Sequence, residues 1–198
     1  MNTRDKILTC LRNGVQEKFD MPDLSQLHGI CYDDPVAQFM QKATTTAGAH
    51  LIELSEGENL NKTVHDAYPQ ARIFASNLAG IEVQMNPDTV TEAQELTSVD
   101  VGIVEGRIGV AENACIWVPQ TMKEKAICFA SENLIILLRR LDIVSNMHQA
   151  YDLIAHSDEY FDPYKFGTFI SGPSKTADIE SALVYGAQAA RSLTIILR

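Results

Sequence analysis

Cysteine is scarce and scattered in this chain: Cys10, Cys31, Cys115 and Cys128 are its four, and none forms a CxxC pair. That spacing carries no zinc-ribbon, iron–sulfur or redox-dithiol signature, and it reads as reduced, mostly buried thiols in a cytoplasmic protein. The five histidines, at 28, 50, 65, 148 and 156, make no HExxH and no Cys/His ligand set, so no metal site is expected. Also missing are a GxSxG elbow, a Walker loop and GxGxxG, which removes the commonest hydrolase, nucleotide and dinucleotide readings and leaves no cofactor expected. Positive charge is the minority. Sixteen Lys and Arg face 26 Asp and Glu for a net −10, which argues against nucleic acid or an anionic membrane as the main partner. No apolar run approaches membrane-spanning length, and the opening MNTRDKILTCLRNG mixes charges with aliphatics, unlike a secretory signal.

What is present is an ordinary globular composition, 45% apolar and 21% charged over 198 residues. It fits one domain over 1–198, with a helical segment over 1–48 packed on it. Residues 3–19 place Ile7, Leu8, Leu11, Val15 and Phe19 on one helical stripe, and that apolar face must pack on something. Asp34 before Pro35 is a good N-cap and first-turn pair for a second helix through Ala47.

From His50 the pattern becomes short apolar strands alternating with helices: HLIEL, a helix through Leu60, Val64, Ala67 and Tyr68, then ARIFAS. This is βαβ arithmetic. Asn86-Pro87-Asp88-Thr89 opens a short helical piece. VDVGIVEG and the run ending in ACIWVP read as strands separated by Arg107-Ile108-Gly109, an antiparallel or bulged pair beside a parallel sheet. ENLIILLRR supplies another strand, Ser145 caps a helix with Met147, Ala150, Tyr151 and Ile154 inward, and SLTIIL ends the chain as a strand buried on both faces near the sheet centre.

Two stretches could carry chemistry. Phe169–Glu180, FISGPSKTADIE, reads as a strand end, a Gly172-Pro173 turn and a helix start capped by Ser174 or Thr176, with Ile179, Ala182, Leu183 and Gly186 at helical spacing. Such a loop outside the carboxyl ends of strands can bind a small ligand. Lys175 suits a phosphate or carboxylate, but Asp178 and Glu180 in the same first turn oppose an anion. Recognition of a small polar molecule or a partner chain by Ser171, Gly172, Ser174, Lys175, Thr176 and Asp178 is the better reading; a turn that merely reverses the chain is the plain one. In the second stretch, Glu105 to Ala114, Glu105 or Glu112 could serve as base or nucleophile, with Arg107 and Asn113 binding ligand. A solvated turn with an Arg–Glu pair fits those residues as well.

VDVGIVEGRIGVAENACIWV, followed at a distance by FISGPSKTADIESALVYGAQAARSLTIILR, resembles the LUD domain of the lactate utilisation protein C (LutC/YkgG) family. The resemblance covers the last half of the chain well, and ISGPSKTADIE is its most specific motif. It implies a three-layer NagB/RpiA/CoA-transferase-like α/β fold with a mostly parallel sheet and N-terminal helices. It also implies a role in oxidising L-lactate to pyruvate beside separate iron–sulfur subunits, and no catalytic residue set. Ala111-Glu112-Asn113-Ala114-Cys115 stands where family members usually have AETGT.

Three functions follow as expectations. One is an accessory subunit of a lactate-oxidising complex that binds a small hydroxy acid or other polar ligand. Another is a CoA-transferase-like or sugar-isomerase-like enzyme using Glu105 or Glu112, since Ala-Glu-Asn-Ala is similar to the Glu-Asn-Gly around the nucleophilic glutamate of CoA-transferases. The last is a small-molecule-binding regulatory module.

Overall fold

The computed structural model describes residues 2–14, 19–20, 22–23, 28–156, 164, 166–179 and 182–198. The first helix, α1 (Thr3–Gly14), buries none of its residues, and Val15 of the expected stripe lies outside the described residues. The second element behaves as its sequence requires. Asp34 accepts a bond from Ala37 N at 2.9 Å, Pro35 opens α2 (Pro35–Lys42), and a π-helical turn over Ala43–Ala47 carries it to Gly48. Phe39, Ala43 and Ala47 are the buried face of this unit.

Five strands form the central sheet: β1 (His50–Glu53), β2 (Phe74–Ala75), β3 (Val101–Glu105), β6 (Asn133–Leu138) and β11 (Ser192–Leu197). Their order is β1-β11-β6-β3-β2, and every pairing is parallel. The chain is therefore a mixed α/β protein with a parallel central sheet and helices before it, and β11 lies beside the central strand as its unbroken apolar run requires. One face, with Leu134, Ile136, Leu193 and Ile195, packs against α2 and a second sheet. The other, with Ile103, Ile135 and Ile196, packs against Val64 of α3 (Leu60–Ala67). Each fully buried isoleucine here contributes about 1.5–3 kcal/mol.

The second sheet joins β4 (Ile108–Val110), β5 (Cys115–Pro119), β7 (Ile143–Val144) and β8 (Gly167–Ile170) in the order β7-β4-β5-β8. Two of the three residues of the expected separator, Ile108 and Gly109, thus belong to β4, and Gly106-Arg107 turns the chain. VDVGIVEG and ACIWVP do not pair with each other. β3 stays in the parallel sheet while β5 pairs antiparallel with β4. At the crossing, a Cβ on Gly106 would lie 2.4 Å from Ile116 Cγ2 and 3.0 Å from Ile136 Cγ2, so the sheets approach as closely as a hydrogen allows.

The largest correction falls on Phe169–Glu180. After the loop comes no helix but a ribbon, β9 (Lys175–Ile179) antiparallel to β10 (Ala182–Tyr185), with Glu180 outside the described residues. β8 also belongs to the second sheet, so no helix N-terminus faces a ligand there. The residues from 175 to 185 fit either period, but Thr176, Ile179, Val184 and Tyr185 are strand formers, and pairing decided between the two.

Smaller corrections have local causes. Asn146, not Ser145, caps α5 (Met147–His156) by accepting from Gln149 N, while Ser145 Oγ accepts from Tyr32 N. Tyr151 is 59% exposed and leans edge-on against Phe169 instead of facing inward. Asn86 to Thr89 is a turn, and the helical piece is a 3-10 segment at Ala93–Ser98. ARIFAS keeps only Phe74–Ala75 as strand. Of the cysteines, Cys10 and Cys31 are exposed, Cys115 is half-buried and Cys128 is buried.

Polar residues on the sheet satisfy one another. Ser192 Oγ donates to Asn133 Oδ1, so Tyr68 must donate to Ser192 and accept from Thr194, at 2.7 and 2.8 Å. Asp100 fixes the edge: its Oδ2 accepts from Arg72 N at 2.7 Å and Ile73 N at 2.9 Å, seating β2 against β3. Those backbone bonds hold the Asp100 carboxyl below the usual carboxylate range. Because its folded pKa is depressed, this stabilisation is full above the ordinary carboxylate pKa and is lost as pH falls through the folded value. Asp100→Asn is expected to lower the urea midpoint at pH 7, with the gap to the parent narrowing below pH of about 4; a gap constant across that range would rule the carboxylate out as the clamp.

Candidate functional site

The antiparallel pairing of β8 with β5 sets Ile170 opposite Ile116 and delivers Ser171 to the β4–β5 turn. There Ser171 Oγ donates to Asn113 O at 3.0 Å. Asn113 Oδ1 accepts from Cys115 N at 3.0 Å, and between them Ala114 takes a left-handed φ of +55°. Burial pushes the Cys115 thiol up, a hydrogen bond with Ser171 opposes the shift, and the Glu112 charge adds to it.

The next residues bind the loop to the N-terminal helical unit. Gly172 has φ +70°, and a Cβ on it would sit 2.1 Å from the carbonyl oxygen of Ala47. Lys175 Nζ donates to Ala47 O at 2.6 Å and Thr46 O at 3.4 Å, so a cation closes the carbonyl end of that helix. Ser174 donates its N–H to Ala190 O at 2.9 Å and accepts from Gly186 N at 3.0 Å. The motif thus works first as a clamp: its glycine and lysine hold the loop against Ala47.

The clamped loop walls a cavity of about 370 Å³. Residues 171–175 form one side, residues 188–190 face them, and α4 (Ile127–Ala130) closes it with Cys128 and Phe129 over Leu134. Burial pushes the Cys128 thiol up to about 12, so it is protonated at neutral pH and serves as apolar wall, not nucleophile. The polar side chains of the lining are the hydroxyls of Ser171 and Ser174, the carboxamide of Gln188 and the Lys175 ammonium. This set can bind hydroxyl and carboxylate oxygens.

Of the sequence candidates, Ser171, Gly172, Ser174 and Lys175 meet at this cavity, and Asn113 touches it through Ser171. Thr176 and Asp178 bond each other on the ribbon and do not line it. Glu105 and Arg107 lie at the carboxyl end of β3, where Glu105 pairs with Arg107 at 3.0 Å and with Arg198. Glu112 sits past the other end of β4, its N–H on Ser145 O at 3.0 Å. Gln188, Cys128 and Phe129 were not among the candidate site residues; for Gln188 the signal was one glutamine in the small-residue run Gly186–Ala190 before an apolar strand.

Grooves of about 310 and 500 Å³ flank Tyr68 on the opposite sheet face, where the hydroxyls already bond one another. Among the described residues, no group of three His, Cys, Asp or Glu is placed to hold a metal ion, and no helix is long and apolar enough to cross a membrane.

Lys175→Met is expected to cost about 1 kcal/mol of unfolding free energy through the lost helix cap. Gly172→Ala should cost at least about 2 kcal/mol from left-handed backbone and overpacking against Ala47. Urea unfolding of both variants tests the clamp, and a Gly172→Ala protein as stable as the parent would refute it.

Comparison with known proteins agrees with this architecture. The LUD domain family model matches residues 68–197. No curated protein matches the chain. The crystal structure of a DUF162 family protein from Deinococcus radiodurans superposes with a TM-score of 0.64 at 16% identity, covering 85% of this chain and 99% of that one. At that identity the likeness establishes the fold alone. The match of the family model over residues 68–197, from the end of α3 to the last strand, makes this chain a member of the LUD domain family.

Proposed function

We propose that this protein is a LutC-like accessory subunit in the oxidation of L-lactate to pyruvate, working with separate iron–sulfur proteins, and that the cavity behind the 171–175 loop receives the small hydroxy acid. The observation that carries this reading is the convergence of Ser171, Ser174, Lys175 and Gln188 on one cavity within the family's matched region. Its volume exceeds what a three-carbon acid needs, so water or a partner's segment would share it.

Conversion of a 2-hydroxy acid to a 2-oxo acid releases two electrons and two protons. In this reading the iron–sulfur partners would accept the electrons, the two protons would pass to solvent, and this chain binds and orients. The serine hydroxyls and the Gln188 amide contact the substrate hydroxyl and carboxylate, while Lys175 adds positive potential near the Ala47 carbonyl. A glutamyl nucleophile draws no comparable support, since Glu105 is held by two guanidiniums and Glu112 does not line the cavity.

Titration of L-lactate, glycolate and pyruvate into the purified protein, followed by thermal unfolding, tests the site, because a ligand that binds the folded state raises the midpoint. Ser174→Ala and Gln188→Ala should each weaken the response about five- to tenfold, the loss of one hydrogen bond. Lactate-dependent growth of a deletion strain, restored by the parent gene and less well by these variants, tests the physiological role. Normal growth without the protein, together with no midpoint shift from any of the three acids, would overturn the reading.

A further inference from the structure

Among the described residues, the β9–β10 ribbon draws little of its packing from the other helices and strands. Its base is pinned by Ser174 and Gly186, and Gly186 abuts Arg191. Beyond that base the two strands pair only with each other among the described residues. A lone two-stranded ribbon is marginal in water, and an open strand edge presents unpaired N–H and C=O groups to any other chain.

The two edges differ. β9 carries Asp178, a charge of the kind that keeps an edge from pairing, while its Lys175 is committed to the Ala47 carbonyl. β10 reads Ala182-Leu183-Val184-Tyr185, with no charge, two strand formers in Val184 and Tyr185, and Leu183 57% and Tyr185 47% exposed. Two copies of this chain each carry a net −10 and repel overall, so a contact between them needs a surface that adds no like charges at close range. β10 offers such a surface, and it is self-complementary. Placed antiparallel to its own copy about a two-fold axis through Val184, it sets Leu183 opposite the second copy's Tyr185 and Tyr185 opposite the second Leu183. These are aliphatic–aromatic cross-strand pairs on one face.

We propose that β10 pairs antiparallel with β10 of a second copy, joining two ribbons into one four-stranded sheet. The contact is small, so the association is weak and depends on concentration.

A cysteine at the axis captures such a contact. In an antiparallel pair, opposed Cα atoms lie about 4.5–5.5 Å apart, within disulfide reach. In a Cys10→Ser, Cys31→Ser background, which removes the exposed thiols, Val184→Cys is expected to form disulfide-linked dimers under mild oxidant. It should do so about tenfold faster than Leu141→Cys, whose 97% exposed position reports random collision. Adding Leu183→Lys, a charge at an exposed position the fold tolerates, should return Val184→Cys to the control rate while the thermal midpoint holds. Linking of Val184→Cys at the Leu141→Cys rate, or unchanged by Leu183→Lys, overturns the proposal. A ribbon reserved for a strand of a different protein gives the first of those results.

Discussion

Strand β6 sets the terms for everything around it. It is hydrogen-bonded on both sides, to β11 and β3, and its side chains from Leu134 to Leu138 are buried on both faces. A strand with no wet face forces the chain to supply two covers. One cover is α3 with the residues after β2. The other is a second sheet, brought down onto the first at Gly106, where no side chain fits between Ile116 and Ile136. Removing either cover exposes several isoleucines and leucines at about 1.5–3 kcal/mol each, a large part of a domain's net stability.

The site follows from that arrangement. Because the second sheet lies across the first, β8 pairs with β5 and runs to where α2 and its π-helical turn end. The loop after β8 must therefore meet a helix carbonyl terminus. Gly172 permits the close approach and Lys175 supplies the charge which that terminus favours. Serine hydroxyls and Gln188 are then left around the cavity. The most specific motif in the sequence is explained half by this clamp and half by what it holds open.

Parts of this were legible in the residues. The Asp34–Pro35 cap, the β1–α3 pair and the aliphatic strands β3, β6 and β11 follow from hydrophobic period and capping chemistry, which act within a few residues. The pairing of β5 with β8 sets Ser171 beside Asn113, 58 residues away in the chain, a contact that no short window contains. The helix expected after Ser174 was not formed. Thr176, Asp178 and the residues after them fit both periods, and no local rule weighs a helix against a ribbon whose stability depends on a second strand pairing with the first.

The residues by themselves determined which segments are apolar enough to be buried as strands, where α2 begins, and that Gly172 stands where backbone must bend or touch. Those are properties of short windows, fixed by side-chain shape and backbone sterics. Only the tertiary structure decided the rest: that β3 and β5 belong to different sheets, that Glu105 is spent on Arg107 and Arg198, that Lys175 answers the carbonyl of Ala47, and that Gln188 joins Ser174 at one cavity. Each depends on contacts between distant parts of the chain. Such contacts are chosen by how two covers fit one buried strand, and no single stretch of sequence contains that fit.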